Sequence, residues 1–545
     1  MAGLNYRADG INALVASPHG LRTAPGAGLR YARGPGTLQR KILKVGAMSV
    51  TDERLSLGLS PQVISEADGD LRAFLRVADQ VEEVVRIEGA DPNLEIGALY
   101  ELSLEHEVPP VLLFENMKGC PPEYRIIMNV KGSRVFDGGL KGVEAVQAFR
   151  QNRRQQRQGG GIPPEEVETG PVFENVLMGS DVNVLKFPAP KWHEDDGGQY
   201  IGTECLIINK DPDSDWVNVG TYRVEVQDDK TLTVFIEPGK HGRLIREKYW
   251  QRGEACPMVV CVGQAPILGQ VAGTSSQWGE SEFAKAGARI GRPIKIVRGK
   301  LTGLPIPADA ELVFEGVVPP TEVESRHEGP FGEWPGYYGS TPRPEPVLRV
   351  QAMYHRNDPI LVGAPPAKPT LPARAAGAAQ AAAIWDALEA AGVPGVKGVW
   401  KLRGGGSRLI NVIAIDQQHA GHAKMAGLVA TGCGPAAYLG RMTIIVDDDI
   451  DITDPAEVLW AMGTRWDPKT QTDIIDGCWT GHIDPVLDPA KRDAHDLTNS
   501  RAIIYAVRPY HWRDEFPKVN QVDKTVADQV RAKWEKKLDF LRQHS

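Results

Sequence analysis

Residues 205–242 read CLIINKDPDSDWVNVGTYRVEVQDDKTLTVFIEPGKHG, and the middle of the chain can be reasoned out from them. Three short β-branched and aromatic runs, 205–209, 216–226 and 231–236, are separated by turn signals at Asp228-Asp229-Lys230 and Pro238-Gly239. That spacing predicts antiparallel strands joined by tight turns, and 258–262 adds another. Between about 170 and 345 the one helix expected is 281–290. Close-set strands of this kind argue for a barrel or sandwich, not a βαβ array.

On the N-terminal side the texture changes. Asp70 is placed to cap a helix carrying Leu71, Leu75, Ala78 and Val81 at helical spacing. A strand at 84–87, a helix at 94–104 and a buried strand at 111–114 follow, so 48–165 reads as an α/β domain. Its end, QNRRQQRQGGG (151–161), reads as an exposed connection. On the C-terminal side Gly and Pro thicken over 328–346 and 364–374. The Ala-rich segment 375–391 predicts a helix, and 409–415 and 442–446 predict buried strands. The expected domains are therefore 48–165, 166–345 and 346–520. An amphipathic helix closes the chain within 521–545, able to dock on its own domain or on a neighbouring subunit. Residues 1–47 carry seven Arg or Lys and one acid, lack a secretory h-region, and read as a disordered extension.

The 545-residue length calls for more than one domain. A net charge of −8 offers no electrostatic footprint for nucleic acid, and no apolar run is long enough to span a membrane. Six cysteines without a CxxC pair suit reduced thiols in the cytoplasm.

Familiar catalytic signatures are missing: no GxGxxG after a strand, no Walker A loop, no HExxH and no GxSxG. Gly404-Gly405-Gly406 reads as a turn. The acids Asp447-Asp448-Asp449-Ile450-Asp451 read as a solvated strand exit with helix capping, and His193 as a loop residue. More informative are Asn218 to Arg223 on an expected strand, the turn Pro238-Gly239-Lys240-His241-Gly242, and Glu282 at a helix start. Asn, His and Glu together offer oxygen and imidazole donors suited to Mn²⁺ or Mg²⁺. In EGPFGEWPGYY (328–338) two carboxylates sit among Gly, Pro and aromatics. Walls of that kind exclude water and raise a carboxyl pKa, as proton transfer requires. A rigid surface loop with two solvated acids accounts for the composition equally well.

Taken together, these segments resemble the UbiD family of decarboxylases, which use a prenylated flavin mononucleotide (prenylated FMN). The resemblance is carried by NVGTYR (218–223), PGKHG (238–242), SEFAKAGA (281–288), EGPFGEWPGYY (328–338) and IIVDDDIDITDPAEVLWAMGTRWDP (444–468). DLRAFLRVADQ (70–80), VLLFENMKG (111–119) and RPYHW (508–512) extend it over nearly everything after Met48. It implies an α+β and α/β multidomain protein: an α/β N-terminal domain, a central flavin-binding split β-barrel, and a C-terminal α/β domain used for oligomerisation. It implies a divalent metal, usually Mn²⁺, on Asn218, His241 and Glu282, with K⁺ nearby. The catalytic residues it implies are Arg223, Glu328 and Glu333. Further cofactor contacts fall on Thr221, Tyr222, Arg223 and Lys240, with a phosphate contact at Arg441, where many members carry Lys.

The activity so implied is reversible, non-oxidative decarboxylation of an aromatic or α,β-unsaturated acid, an aryl thioester included, with Glu333 as proton donor. The implied partners are the acid, CO₂, a flavin prenyltransferase that supplies the cofactor, and further copies of the chain as a dimer or hexamer. Neither nucleic acid nor membrane is among them. An FMN split-barrel oxidoreductase is a second reading, but hydride transfer needs no Arg/Glu/Glu proton relay. A non-catalytic scaffold subunit is a third, and the retained Arg223 and Glu328 argue against it.

Overall fold

Asp70 caps its helix as its position predicts: Oδ1 accepts the Ala73 N–H at 2.6 Å, and Leu71, Phe74, Leu75 and Ala78 of Leu71–Gln80 turn into the core. The computed structural model describes residues 54, 57–106, 108–274, 276–339, 341–369 and 377–542. The extension expected over 1–47 lies outside them, as does the start of the expected 375–391 helix, observed as Ala378–Ala390.

Strand Val84–Glu88 runs parallel to Val111–Glu115, and Arg125–Met128 pairs with the latter antiparallel. The fourth strand of this N-terminal sheet comes from far along the chain: Ile360–Gly363 lies parallel to Arg125–Met128. The boundary expected at 345/346 also falls inside a strand, because Arg343–His355 crosses it without a break. The expected connection over 151–161 is mostly helix, the end of Gly142–Gly159. Its Ala145, Val146 and Ala148 bury against Ala381, Ile384 and Trp385, and Arg150 stacks on Trp385 at 4.3 Å while pairing with Asp386.

The central sheet has ten strands and stays open, with Gln199–Gly202 and Val217–Gly220 at its ends. Alternation along Cys205–Lys210 divides its side chains between two cores. Cys205 and Ile207 join Val224, Leu232, Val234 and Met258 on one face; Leu206 and Ile208 join Val219, Val259 and Cys261 on the other. The expected single strand over 216–226 is two, Val217–Gly220 and Val224–Val226. They pair with different neighbours, so the chain breaks step at Thr221, Tyr222 and Arg223. The helix at Glu282–Ile290 forms with Ser281 as its cap. Two further helices, His241–Gln251 and Pro266–Ala272, correct the expectation of only one. The first has no side-chain cap and a strongly charged sequence. The second is seven residues long and apolar on most sides, a run that periodicity cannot tell from a strand.

The C-terminal sheet runs Val396–Lys401, Ile410–Ile415, Met442–Asp447, Thr498–Ala506, Thr472–Trp479, with its three middle strands parallel. Of the acids expected to form a solvated exit, Asp448, Asp449 and Asp451 are exposed, but Asp447, the last residue of Met442–Asp447, is not. Asp447 is buried and accepts from Arg465, Arg508 and Gln417. Asp449 takes both Nη atoms of Arg465, and capping falls to Asp454. The terminal helix, Lys524–Arg542, leaves Val526 and Val530 exposed. Among the described residues no helix is long and apolar enough to cross a membrane, and no cysteine is in a disulfide.

Candidate active site

The break in step after Gly220 delivers Arg223 to the expected carboxylates. Its backbone carbonyl accepts the Phe235 N–H, and its guanidinium forks onto Glu328, Nε to Oε1 at 2.6 Å and Nη2 to Oε2 at 2.8 Å. Nη1 donates to Glu333. Glu328 ends strand Ser325–Glu328, and Gly329 to Gly332 carry the chain across to Glu333. Gly197 keeps this loop in place: its N–H donates to Pro330 O at 2.7 Å. A Cβ on Gly197 would lie 2.1 Å from Gly329 O, so no larger residue fits.

Aromatic rings close the site. Phe235 lies over the Arg223 guanidinium at 4.1 Å and Phe331 at 5.5 Å, and Phe331 packs on Tyr200 with centroids 4.2 Å apart. Water is thus scarce around the charges. Burial pushes Glu333 up to about 7, opposed by Arg223 and reinforced by Glu237 and Glu328. Burial disfavours the charged form of Arg223 as well, but Glu328 and Glu333 outweigh it and hold the guanidinium above its ordinary range.

Two participants escaped the sequence reading. The Tyr200 hydroxyl donates to Glu328 Oε1 at 3.0 Å, and Glu225 Oε2 accepts the Gly329 N–H at 3.3 Å. Burial, aided by Glu328, lifts Glu225 to about 7. Alternation was the available signal for Glu225, two residues beyond Arg223; Tyr200 gave none, because its partner lies 128 residues away.

The segments that carry the expected metal donors pack around Asn218. Its neighbour Val219 donates a backbone N–H to Glu282 at 3.3 Å. On its other side, a Cβ on Gly242, next to His241, would sit 3.4 Å from Asn218 Nδ2. The His241 ring stands edge-on between Trp216 and Trp278. Burial, helped by Lys240 and Lys285, lowers its pKa, so the imidazole is neutral and its lone pair available. Burial raises the Glu282 carboxyl, against the Val219 N–H and the nearby Lys285. Among the described residues no three His, Cys, Asp or Glu converge, so a cation here depends on Asn218 as a donor. A neutral imidazole, an amide and a carboxyl that burial leaves wanting a cation fit a hard divalent ion.

Tyr222 is half-buried, desolvation raises its hydroxyl to about 12, and its ring lies against Gly220 and Gly242. Thr221 stands near Gly273. Lys240 lies over the Tyr438 ring at 5.1 Å. Arg441 is in an ion pair with the buried Asp484 at 2.6 Å. His193 is a loop residue, as expected; its Nε2 meets Glu101 at 2.9 Å, and a Cβ on Gly332 of the carboxylate loop would be 3.4 Å from its Nδ1.

A buried Arg clamped between two carboxyls, one of them held near neutrality, is the equipment of an enzyme that moves a proton in a dry cleft. Three family models match in order: the UbiD N-terminal domain over 76–149, the Rift-related domain of 3-octaprenyl-4-hydroxybenzoate carboxy-lyase over 165–369, and its C-terminal domain over 374–506. The pyrrole-2-carboxylic acid decarboxylase of Pseudomonas aeruginosa is 31% identical over 407 residues, 69% of this chain and 79% of the relative. A phenolic acid decarboxylase of Bacillus subtilis is 29% identical over 77% of this chain and 90% of its own length. Among solved structures, the UbiD-class enzyme HmfF from Pelotomaculum thermopropionicum in complex with FMN superposes with a TM-score of 0.72 at 27% identity, over 83% of this chain and 97% of that one. An evolved dimeric form of that enzyme, in complex with prFMN, gives 0.69 at 26% identity over the same shares. The chain belongs to the UbiD family.

Proposed function

We propose that this protein catalyses the reversible, non-oxidative decarboxylation of an aromatic or α,β-unsaturated carboxylic acid, with prenylated FMN as cofactor and Glu333 as proton donor. The observation that carries the reading is the buried Arg223–Glu328–Glu333 set, with Glu333 raised to about 7. The named relatives, decarboxylases of pyrrole-2-carboxylic and phenolic acids, support the reaction class, and the neighbours in complex with FMN and prFMN support the cofactor.

When bound, the prenylated flavin supplies an electron sink that no amino-acid side chain provides. Asn218, His241 and Glu282 would hold its phosphate through Mn²⁺ or a similar divalent ion, with K⁺ nearby. Thr221, Tyr222, Lys240 and Arg441 would add contacts. Arg223 orients the substrate carboxylate while Glu328 and Tyr200 hold the guanidinium in place. Phe235 and Phe331 exclude water, so Glu333 keeps its proton until the carbon that loses CO₂ requires it. The reverse direction uses the same groups, Glu333 then accepting the proton. A separate prenyltransferase as cofactor supplier, a homo-oligomer and a cytoplasmic location complete the reading.

The test is coexpression with a flavin prenyltransferase, followed by mass analysis of the released cofactor, metal analysis and an acid-substrate screen. Prenylated FMN with Mn²⁺ and CO₂ release is the expected result. Glu333→Gln should keep cofactor and metal while losing turnover and solvent-deuterium exchange into product. Plain FMN under ample supply, or normal exchange in that variant, overturns the proposal.

A further inference from the structure

Glu237 stands four residues ahead of His241, and the proton chemistry gives it no task. It is 8% exposed. Its Oε1 accepts the backbone N–H of His482 at 3.1 Å and the Tyr438 hydroxyl at 3.3 Å. Among the described residues, its Oε2 has no hydrogen-bond partner. Neither has Nδ1 of His482, which is 6% exposed and lies 3.6 Å from Oε1. Buried polar atoms of this kind are costly unless water or a ligand completes them.

The pair lies close to Glu333. Phe235, two residues before Glu237, covers Arg223. Glu237 raises the Glu333 pKa through its charge. A Cβ on Gly339 would come within 2.9 Å of Glu333 Cγ and 3.1 Å of Cγ2 of Ile483, the residue after His482. Positive groups lie around the pair: Arg343 acts on Glu237, Arg408 on Glu333, and Lys240 stands over the Tyr438 ring. A second metal cation would be repelled there. A neutral N–H or O–H would not, and an ionised carboxylate can only accept.

We propose that Glu237, held by Tyr438 and the His482 backbone, accepts a hydrogen bond from a ring-borne N–H or O–H of the substrate, so that the acid used here carries such a donor. The proposal rests on the decarboxylase reading above. With its Nδ1 3.6 Å from Glu237 Oε1, His482 helps to hold that carboxylate. Hydrogen bonding to an anionic acceptor also feeds electron density into the ring, where the proton from Glu333 must arrive.

The experiment measures calorimetric affinity and CO₂ release on the prenylated-FMN holoenzyme with two matched pairs. Pyrrole-2-carboxylate against furan-2-carboxylate tests the N–H source, and 4-hydroxybenzoate against 4-methoxybenzoate the O–H source. The donor-bearing member of one pair should bind roughly 10- to 150-fold more tightly, the span of a charge-assisted hydrogen bond. Glu237→Gln, which keeps an acceptor for His482 and Tyr438, should shrink that preference to within about threefold, whereas Glu333→Gln should preserve it. His482→Phe, filling the same space without ring nitrogens, should retain the greater part. Equal affinity within both pairs, or a preference that survives Glu237→Gln, overturns the proposal. A preference that behaves as described while no acid releases CO₂ leaves the subsite standing and overturns the decarboxylase reading instead.

Discussion

Raising the pH above neutrality should switch this enzyme off through one carboxyl. Glu333 titrates at about 7 instead of the ordinary 4.5, a difference equivalent to roughly 3 kcal/mol. At pH 7 about half the molecules then hold the proton, against roughly one in 300 for an unperturbed glutamate. The donor is fully loaded below pH 6 and empties above 7, so kcat should fall about tenfold per pH unit on the alkaline side once proton transfer limits turnover. Stability moves the same way. Because the folded-state pKa lies above the unfolded one, the folded protein binds the extra proton between pH 4.5 and 7, and this group's contribution declines as pH rises across that window. The assay is kcat for CO₂ release from pH 5 to 9, repeated with Glu225→Gln, since Glu225 also titrates at about 7. Loss of the alkaline limb in Glu225→Gln, or a flat profile in the unmodified enzyme, would refute the assignment of the proton to Glu333.

His241→Ala should lose bound metal and flavin together, read by elemental analysis and absorbance; full metal stoichiometry removes His241 from the donor set. Arg223→Met leaves Glu328, 1% exposed, without its ionic partner and should destabilise the fold by about 3–5 kcal/mol in denaturant titration; an unchanged midpoint contradicts the clamp. Gly197→Ala must push Gly329 away, and should lower kcat more than 10-fold with metal and flavin content unchanged. Asp70→Ala removes a helix cap far from the cleft, costing about 1 kcal/mol of stability with kcat intact.

Local signals were the legible ones. Asp70 and the apolar run 205–209 act within a few residues of themselves, and the structure follows them. Arg223, Glu328 and Glu333 could be named because two short motifs carry them, although only folding joins positions 105 and 110 residues apart. Tyr200, Tyr438 and His482 were silent because each matters through a partner remote in sequence. The helix His241–Gln251 was hidden by its own polarity, and Asp447 by a salt bridge to Arg465 that no local pattern announces.

The strand Ile360–Gly363 has a consequence for biosynthesis. Until it leaves the ribosome, Arg125–Met128 remains the border of an incomplete sheet, with Ile126 and Ile127 lacking the cover that makes them core residues. The ~230 intervening residues take about 12–46 s to translate. During that interval the nascent N-terminal region presents a sticky, unpaired edge, so the last step of its folding waits for the whole ten-stranded central sheet to be synthesised.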